Sequence, residues 1–203
     1  MKAVMLSVRP NWCAKITNKI GIEKNGKPIY EKTVEVRKTR PKIETPFKCY
    51  IYCTRAKGHF SIGGGVYATS DTLYRLPTGE IKFGDGFELM GEWSGQYDES
   101  NFLNGKVIGE FVCDRIEDMR DIDREPTCIS IEEWLKYTDG HKGIVYGWHI
   151  SDLVIYDKPK ELSEFFRHDN TYDNSFGWAF EDRNKNIPLK RPPQSWCYVE
   201  VQR

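Results

Sequence analysis

The stretch that most limits how this chain can fold is FKCYIYC, residues 47–53. Six of its seven residues are apolar or aromatic. A strand with one face in water alternates apolar and polar side chains, whereas one that is apolar nearly throughout is covered on most of its sides. This segment therefore predicts a buried strand, and the rest of the chain must supply the layers that cover it.

The flanking sequence reads as short strands with a few helices between them. AVMLSV (3–8) is a strand. Pro10 suits the first turn of a helix, where its missing N–H costs nothing. Trp12, Ile16 and Ile20, at i, i+4 and i+8, give that helix one face, and Gly21 ends it. EKNGKP (23–28) is a turn leading through a small hairpin into KTVEVRK (32–38). GKVIGEFVCDRI (105–116) is a strand in which Gly109 permits a bulge. Ser130 and Glu133 have capping-box spacing ahead of Ile131, Trp134 and Leu135, and Gly140 stops that helix. GIVYGWHISDLVIYD (143–157) is one long strand, or two joined at Ser151–Asp152. Pro159 opens a short helix in PKELSEFF, and RPPQSWCYVEV (191–201) is a loop followed by the last strand.

Residues 58–104 differ in character. They are rich in Gly, Thr and Tyr, with TLYRLPTGEIKF as two short strands about a Pro-Thr-Gly turn. They hold too few large aliphatic residues for a core of their own and read as a β-rich insertion. Residues 157–186, polar and aromatic, are a second elaboration. The class is α+β: a small mixed β-barrel, closed or nearly closed, with flanking helices, in one domain over 1–203. There is no doubly wound strand–helix alternation and no dinucleotide fingerprint. GGG at 63–65 lacks the helix and lysine of a phosphate loop.

Composition narrows the function. No apolar run approaches the roughly 20 residues that span a bilayer. The N-terminal MKAVMLSVRPNWC is broken by Arg9–Pro10 too early for a signal peptide, so the expected location is cytoplasmic. The six cysteines are scattered, and without a secretion signal buried free thiols are expected. Cys49 and Cys53 at i and i+4 of a strand stand too far apart to share one zinc ion. No metal and no cofactor is expected. Net charge is zero, yet residues 1–60 carry 14 Lys and Arg against 4 Asp and Glu, and the remainder 16 against 26. Such asymmetry fits a polyanionic partner, or two parts that neutralise each other in the fold.

KTVEVRK is the motif with chemistry in it. Val34 and Val36 fall on one face of an extended chain, and Glu35 and Arg37 on the other. Two readings stand: a solvated ion pair worth about 0–1 kcal/mol, or the polar floor of a cleft.

Four stretches in order, LSVRPNWC, KTVEVRK, GKVIGEFVCDRI and VYGWHISDLVIYD, resemble the ASCH domain family of the PUA-like superfamily. The resemblance covers about residues 1–57, 105–156 and 187–203. The family pattern Gly/Glu-Lys-x-x-Glu-x-Arg is similar to Glu31-Lys32-Thr33-Val34-Glu35-Val36-Arg37. The Gly usual before the lysine is absent, and about 13 residues (18–30) are inserted ahead of the motif. The resemblance implies a PUA-like barrel with a cleft lined by Lys32, Glu35 and Arg37, binding RNA or a nucleotide. One branch removes an acetyl group from acetylcytidine. It shares the lysine but has a threonine where this chain has Glu35, so that nucleophile is missing here. RNA cleavage is another family activity.

The residue chemistry fits such a ligand. Arginine offers a rigid fork to phosphate or to a base edge, and glutamate accepts from an exocyclic amine. In a binding module Lys32, Glu35 and Arg37 hold the nucleotide. In the rival hydrolase, acting on a modified nucleoside or RNA, Lys32 and Glu35 are an acid/base pair. Arg9, at a helix start, is a phosphate seat or a loop arginine with a carboxylate partner, and Ser7 helps it. Trp148 is a base-stacking face or core, and His149, on the opposite strand face, a phosphate contact, a general base or a structural residue. Gln194, Ser195 and Trp196, in a loop stiffened by prolines, read a base edge or form a plain surface turn. Tyr67, Tyr74, Phe83, Phe87 and Trp93 in the insertion offer a protein partner a surface through residues 60–104, or pack as a lid.

Overall fold

The structure is a computed structural model that describes residues 2–55, 60–62, 66–68, 71–84, 101–120, 123–139, 143–167 and 187–200. In chain order the elements are β1 (Lys2–Val8), α1 (Pro10–Thr17), β2 (Lys19–Ile22), β3 (Pro28–Tyr30), β4 (Val34–Arg37), β5 (Phe47–Cys53), β6 (Phe60–Ile62), β7 (Val66–Ala68), β8 (Thr72–Arg75), β9 (Ile81–Gly84), β10 (Val107–Asp118), α2 (Ile131–Thr138), β11 (Tyr146–Lys160) and β12 (Trp196–Glu200).

Six strands form one sheet in the order β12-β1-β5-β10-β11-β4, with three separate two-stranded hairpins. β1 and β5 run parallel, and every other pair in the sheet is antiparallel. β5 lies inside the sheet and is covered on both faces, as its composition requires. Phe47, Cys49, Ile51 and Cys53 join Val4, Leu6, Cys13, Ile16, Phe111 and Trp148 in the main core. Tyr50 and Tyr52 face the other way, into a second core with Met5, Leu162, Phe165 and Leu189. Leu73, within the β8–β9 hairpin, and Leu103, beyond it, are buried in the main core. The hairpin's Tyr74 is buried and Phe83 exposed, whereas the side chains of Tyr67, Phe87 and Trp93 lie outside the described residues.

The sheet is open. No ladder joins its end strands β4 and β12 among the described residues, so the closed barrel is not formed by backbone pairing. The reason is local. The outer edge of β12 is occupied by the 166–167 segment, where Glu200 N–H donates to the Phe166 carbonyl at 3.0 Å and Arg167 bridges Val199. Side chains cross the remaining seam instead. Trp196 Nε1–H donates to Thr39 Oγ1 at 3.0 Å, and the Lys42 N–H donates to Tyr198 Oη at 2.6 Å.

Gly109 sits at a register shift in both of its ladders. A Cβ there would collide with the Val154 carbonyl oxygen, so the glycine lets β11 approach closely. Ser130 and Glu133 form the expected capping box on α2.

Two expectations are corrected. α1 ends at Thr17, not near Gly21: Asn18 N–H caps the Ala14 carbonyl, and Lys19–Ile22 pair with Pro28–Tyr30 as a hairpin. Ile20 is therefore exposed, at 61%. Pro159 opens no helix. β11 continues through it to Lys160, along the part of the strand that β4 does not accompany, where a missing N–H is tolerated. A 3₁₀ turn, Leu162–Glu164, follows. No helix among the described residues is long and apolar enough to cross a membrane.

Candidate functional site

All four residues of β4 are buried, so both of its faces are covered. Val34 and Val36 pack with Met119 and Val145, under Trp134 and Tyr137 of α2. Glu35 pairs in register with Trp148, and Arg37 with Tyr146, so the charged pair faces inward toward α1. Lys32, Glu35 and Arg37 are 1%, 6% and 7% exposed. The solvated surface pair is thereby excluded.

The cluster is packed, with little freedom. Lys32 Nζ donates to the Val34 and Thr127 carbonyls, each at 2.7 Å, and lies 3.3 Å from Glu35 Oε2. The Trp12 ring, on α1, stands 5.0 Å from the same ammonium. All three ammonium donors are thus engaged. Burial pulls the Lys32 pKa below its ordinary value, with Glu35 pushing it back up. Arg37 Nη2 is 2.9 Å from Glu35 Oε1 and donates to the Ser7 carbonyl at 2.9 Å. Arg37 Nη1 reaches Ser195 O and Oγ, each at 3.4 Å. With two cations and one carboxylate, the cluster carries a net charge of +1. Arg37 Nε–H and Trp148 Nε1–H are buried and have no hydrogen-bond partner among the described residues, a condition that buried donors rarely tolerate.

The other sequence candidates divide. Ser7 joins the cluster through its carbonyl, and its hydroxyl donates to Pro193 O at 2.6 Å. Ser195 touches Arg37, while Gln194 beside it is exposed. Trp196, half-buried, is 6.0 Å between ring centroids from Trp148. Arg9 is exposed at the start of α1, and its carbonyl accepts from Trp12 and Cys13 N–H. Trp148 is fully buried, edge-on to Phe47 at 5.8 Å; it is core and offers no open face to a base. His149 lies on the other face of β11, opposite Val34. Arg115 Nη2 donates to its Nδ1 at 3.1 Å, which leaves its Nε2–H for Glu117 Oε2 at 2.5 Å. It is not part of the cluster.

Sequence reasoning missed Tyr137. Burial raises the pKa of its phenol, and Arg37, Glu35 and Arg9 all lie within electrostatic reach of it. Its hydroxyl donates to the Val36 carbonyl at 3.4 Å, so α2 adds an aromatic wall beside the cluster. Trp134 and Tyr137, at i and i+3, share a helix face, and that spacing was the available signal. A cavity of about 380 Å³ lies beneath α2 among Met119, Trp134 and Val145. It is separate from the charged cluster, which is filled by its own side chains. Among the described residues no group of three or more His, Cys, Asp or Glu converges as metal ligands would, and Cys49 and Cys53 are buried free thiols.

No family model matches the sequence, and no curated protein matches it. In overall structure the chain is similar to the crystal structure of a point-mutant ZmASCH protein from Zymomonas mobilis, with a TM-score of 0.49 and 16% identity over 98% of this chain and 91% of that one.

Proposed function

We propose that the chain is an RNA- or nucleotide-binding module whose ligand docks over Lys32, Glu35 and Arg37, with Ser7, Arg9, Gln194, Ser195 and Trp196 at the rim. The observation that carries this reading is Arg37. Its two terminal nitrogens are held by Glu35, Ser7 and Ser195, while its buried Nε–H has no partner among the described residues. A guanidinium fixed in this way is pre-oriented toward one acceptor, and the positive cluster favours an anionic one. Lys32 then serves to hold Glu35 in place. Its donors are all engaged, so the geometry favours binding over an acid/base role for it.

The test is a fluorescence-anisotropy titration of end-labelled single-stranded RNA with wild type and Arg9→Gln, each sample then run on a denaturing gel. The reading predicts salt-sensitive binding of intact RNA, weakened by Arg9→Gln. Absence of binding at low salt overturns it, and RNA shortened by wild type points to the hydrolase.

A further inference from the structure

We propose that the seam between β4 and β12 is a phosphate-tracking surface for a single-stranded RNA several nucleotides long, contacted by Arg9, Lys38, Arg40, Lys42, Lys190 and Arg191. This deepens the binding reading above and rests on it. It adds that the ligand extends past the buried cluster.

Away from the seam five cations are matched, Lys15 with Glu31, Lys27 with Asp152, Lys48 with Glu110, Arg115 with Glu117 and Arg120 with Asp118, while scattered others such as Lys19, Lys24 and Lys136 have no ion pair among the described residues. Among the described residues none of the six seam cations has a carboxylate within ion-pair distance. Lys38 is half-buried and the other five are exposed. Residues 38–43 and 187–195 together hold five of these cations and no acid.

Contacts hold residues 39–42 and 193–195 to one place, and Lys190 and Arg191 follow Pro188 and Leu189, which lie against Phe166 and Phe165. Thr39 and Lys42 bond to Trp196 and Tyr198 of β12. Pro193 and Ser195 bond to Ser7, two residues before Arg9. Arg9 and Lys38 both lie close to Tyr137. Pro41, Pro188, Pro192 and Pro193 stiffen the two segments, which lowers the entropy lost on binding.

Aromatic rings run among these charges. Lys38 Nζ is 5.0 Å from the Tyr137 ring and Arg40 is 5.7 Å from the Tyr146 ring, while Trp196 and Tyr198 stand 5.4 Å apart, edge to face. Unpaired cations interleaved with aromatic residues suit a single strand, whose phosphates meet the charges and whose bases stack. A lipid headgroup surface needs no such rings.

The test compares wild type, a seam variant (Lys38→Gln, Arg40→Gln, Lys42→Gln) and a control variant on the β2–β3 hairpin (Lys19→Gln, Lys24→Gln, Lys27→Gln), with thermal melts to confirm folding. Anisotropy of a labelled 12-nucleotide oligouridine is read across salt concentration, beside calorimetry with uridine monophosphate. Each single-strand phosphate contact contributes about 0.7 to the slope of log K against log salt. The seam variant should lose about 2 from that slope and on the order of a hundredfold in affinity at 0.1 M salt. The control should match wild type, and the monophosphate should bind more weakly than the 12-mer. The proposal is overturned by a wild-type slope in the seam variant, by equal loss in the control, or by binding to phosphatidylserine vesicles as tight as to RNA. If the seam variant binds like wild type while Arg37→Gln does not, the seam fails and the cluster reading stands. If wild type binds no RNA, both fall.

Discussion

Arg37 and Ser7 are joined across the open side of the sheet: the guanidinium Nη2 donates to the Ser7 carbonyl at 2.9 Å while it also faces Glu35 at 2.9 Å. One side chain from the β4 edge thus grips the end of β1 and, through Ser195, the approach to β12. Removing one partner of a buried ion pair costs about 3–5 kcal/mol, because the other charge is left uncompensated. Arg37→Ala should fall in that range in urea unfolding. Arg37→Lys should lie between it and wild type, since the ammonium keeps the charge but not the guanidinium's fixed fork toward Glu35, Ser7 and Ser195.

Lys32 and Glu35 act as a unit. Lys32→Met leaves the Thr127 and Val34 carbonyls without their donor, and Glu35→Gln leaves two buried cations without a carboxylate. Each should destabilise by about 2–4 kcal/mol. The double variant should fall short of the sum by about 1–3 kcal/mol. A double-mutant cycle by denaturant unfolding checks this, and strict additivity would mean the two do not interact.

Alkaline pH should weaken the fold. Burial raises the thiol pKa of Cys13 and Cys49 well above the usual value, and that of Cys113 to about 12. The unfolded thiols ionise from about pH 9 while the folded ones keep their protons, so the folded state binds more protons and stability falls as pH rises. Each such thiol contributes a slope of about 1.4 kcal/mol per pH unit. Lys32 works in the opposite sense: its folded pKa is lowered, so stability from it rises as pH climbs toward 10.5. The three thiols outweigh one lysine. Urea midpoints from pH 7.5 to 10.5 in reducing buffer should decline, and less steeply in Cys113→Ala.

Gly109→Ala should be severe for so small a change. The new Cβ would overlap the Val154 backbone oxygen and stand 3.1 Å from the Ile155 side chain, and a backbone atom in a sheet cannot step aside. A loss of about 1–3 kcal/mol is expected. Gly79→Ala, at a φ of 87° with nothing within 4 Å, serves as a comparison in which only local backbone strain operates.

Local patterns were legible in the sequence because local forces set them. FKCYIYC announced its own burial, Gly109 its bulge, Ser130 and Glu133 their cap, and TLYRLPTGEIKF its hairpin. The end of α1 was hidden because Ile20 continues the helical spacing by coincidence, and only pairing with the 28–30 strand decides otherwise. The open sheet was hidden because closure depends on which segment pairs with the β12 edge, and the pairing with Phe166 and Arg167 is not written in the local pattern of either segment. At the site, alternation placed Glu35 and Arg37 on one face and His149 opposite Trp148. It did not tell that the face bearing Trp148 is roofed by Phe47 and Trp196, nor that Lys32 turns inward to two backbone carbonyls.

The most direct measurement follows the Arg37 Nε–H itself. In a ¹⁵N–¹H spectrum, the Arg37 Nε–H signal is assigned by its loss in Arg37→Lys and is then tracked while unlabelled single-stranded RNA is added. The account predicts a progressive shift that saturates at the same RNA concentration as the anisotropy titration. RNA that binds without moving that signal, or that does not bind at all, contradicts it.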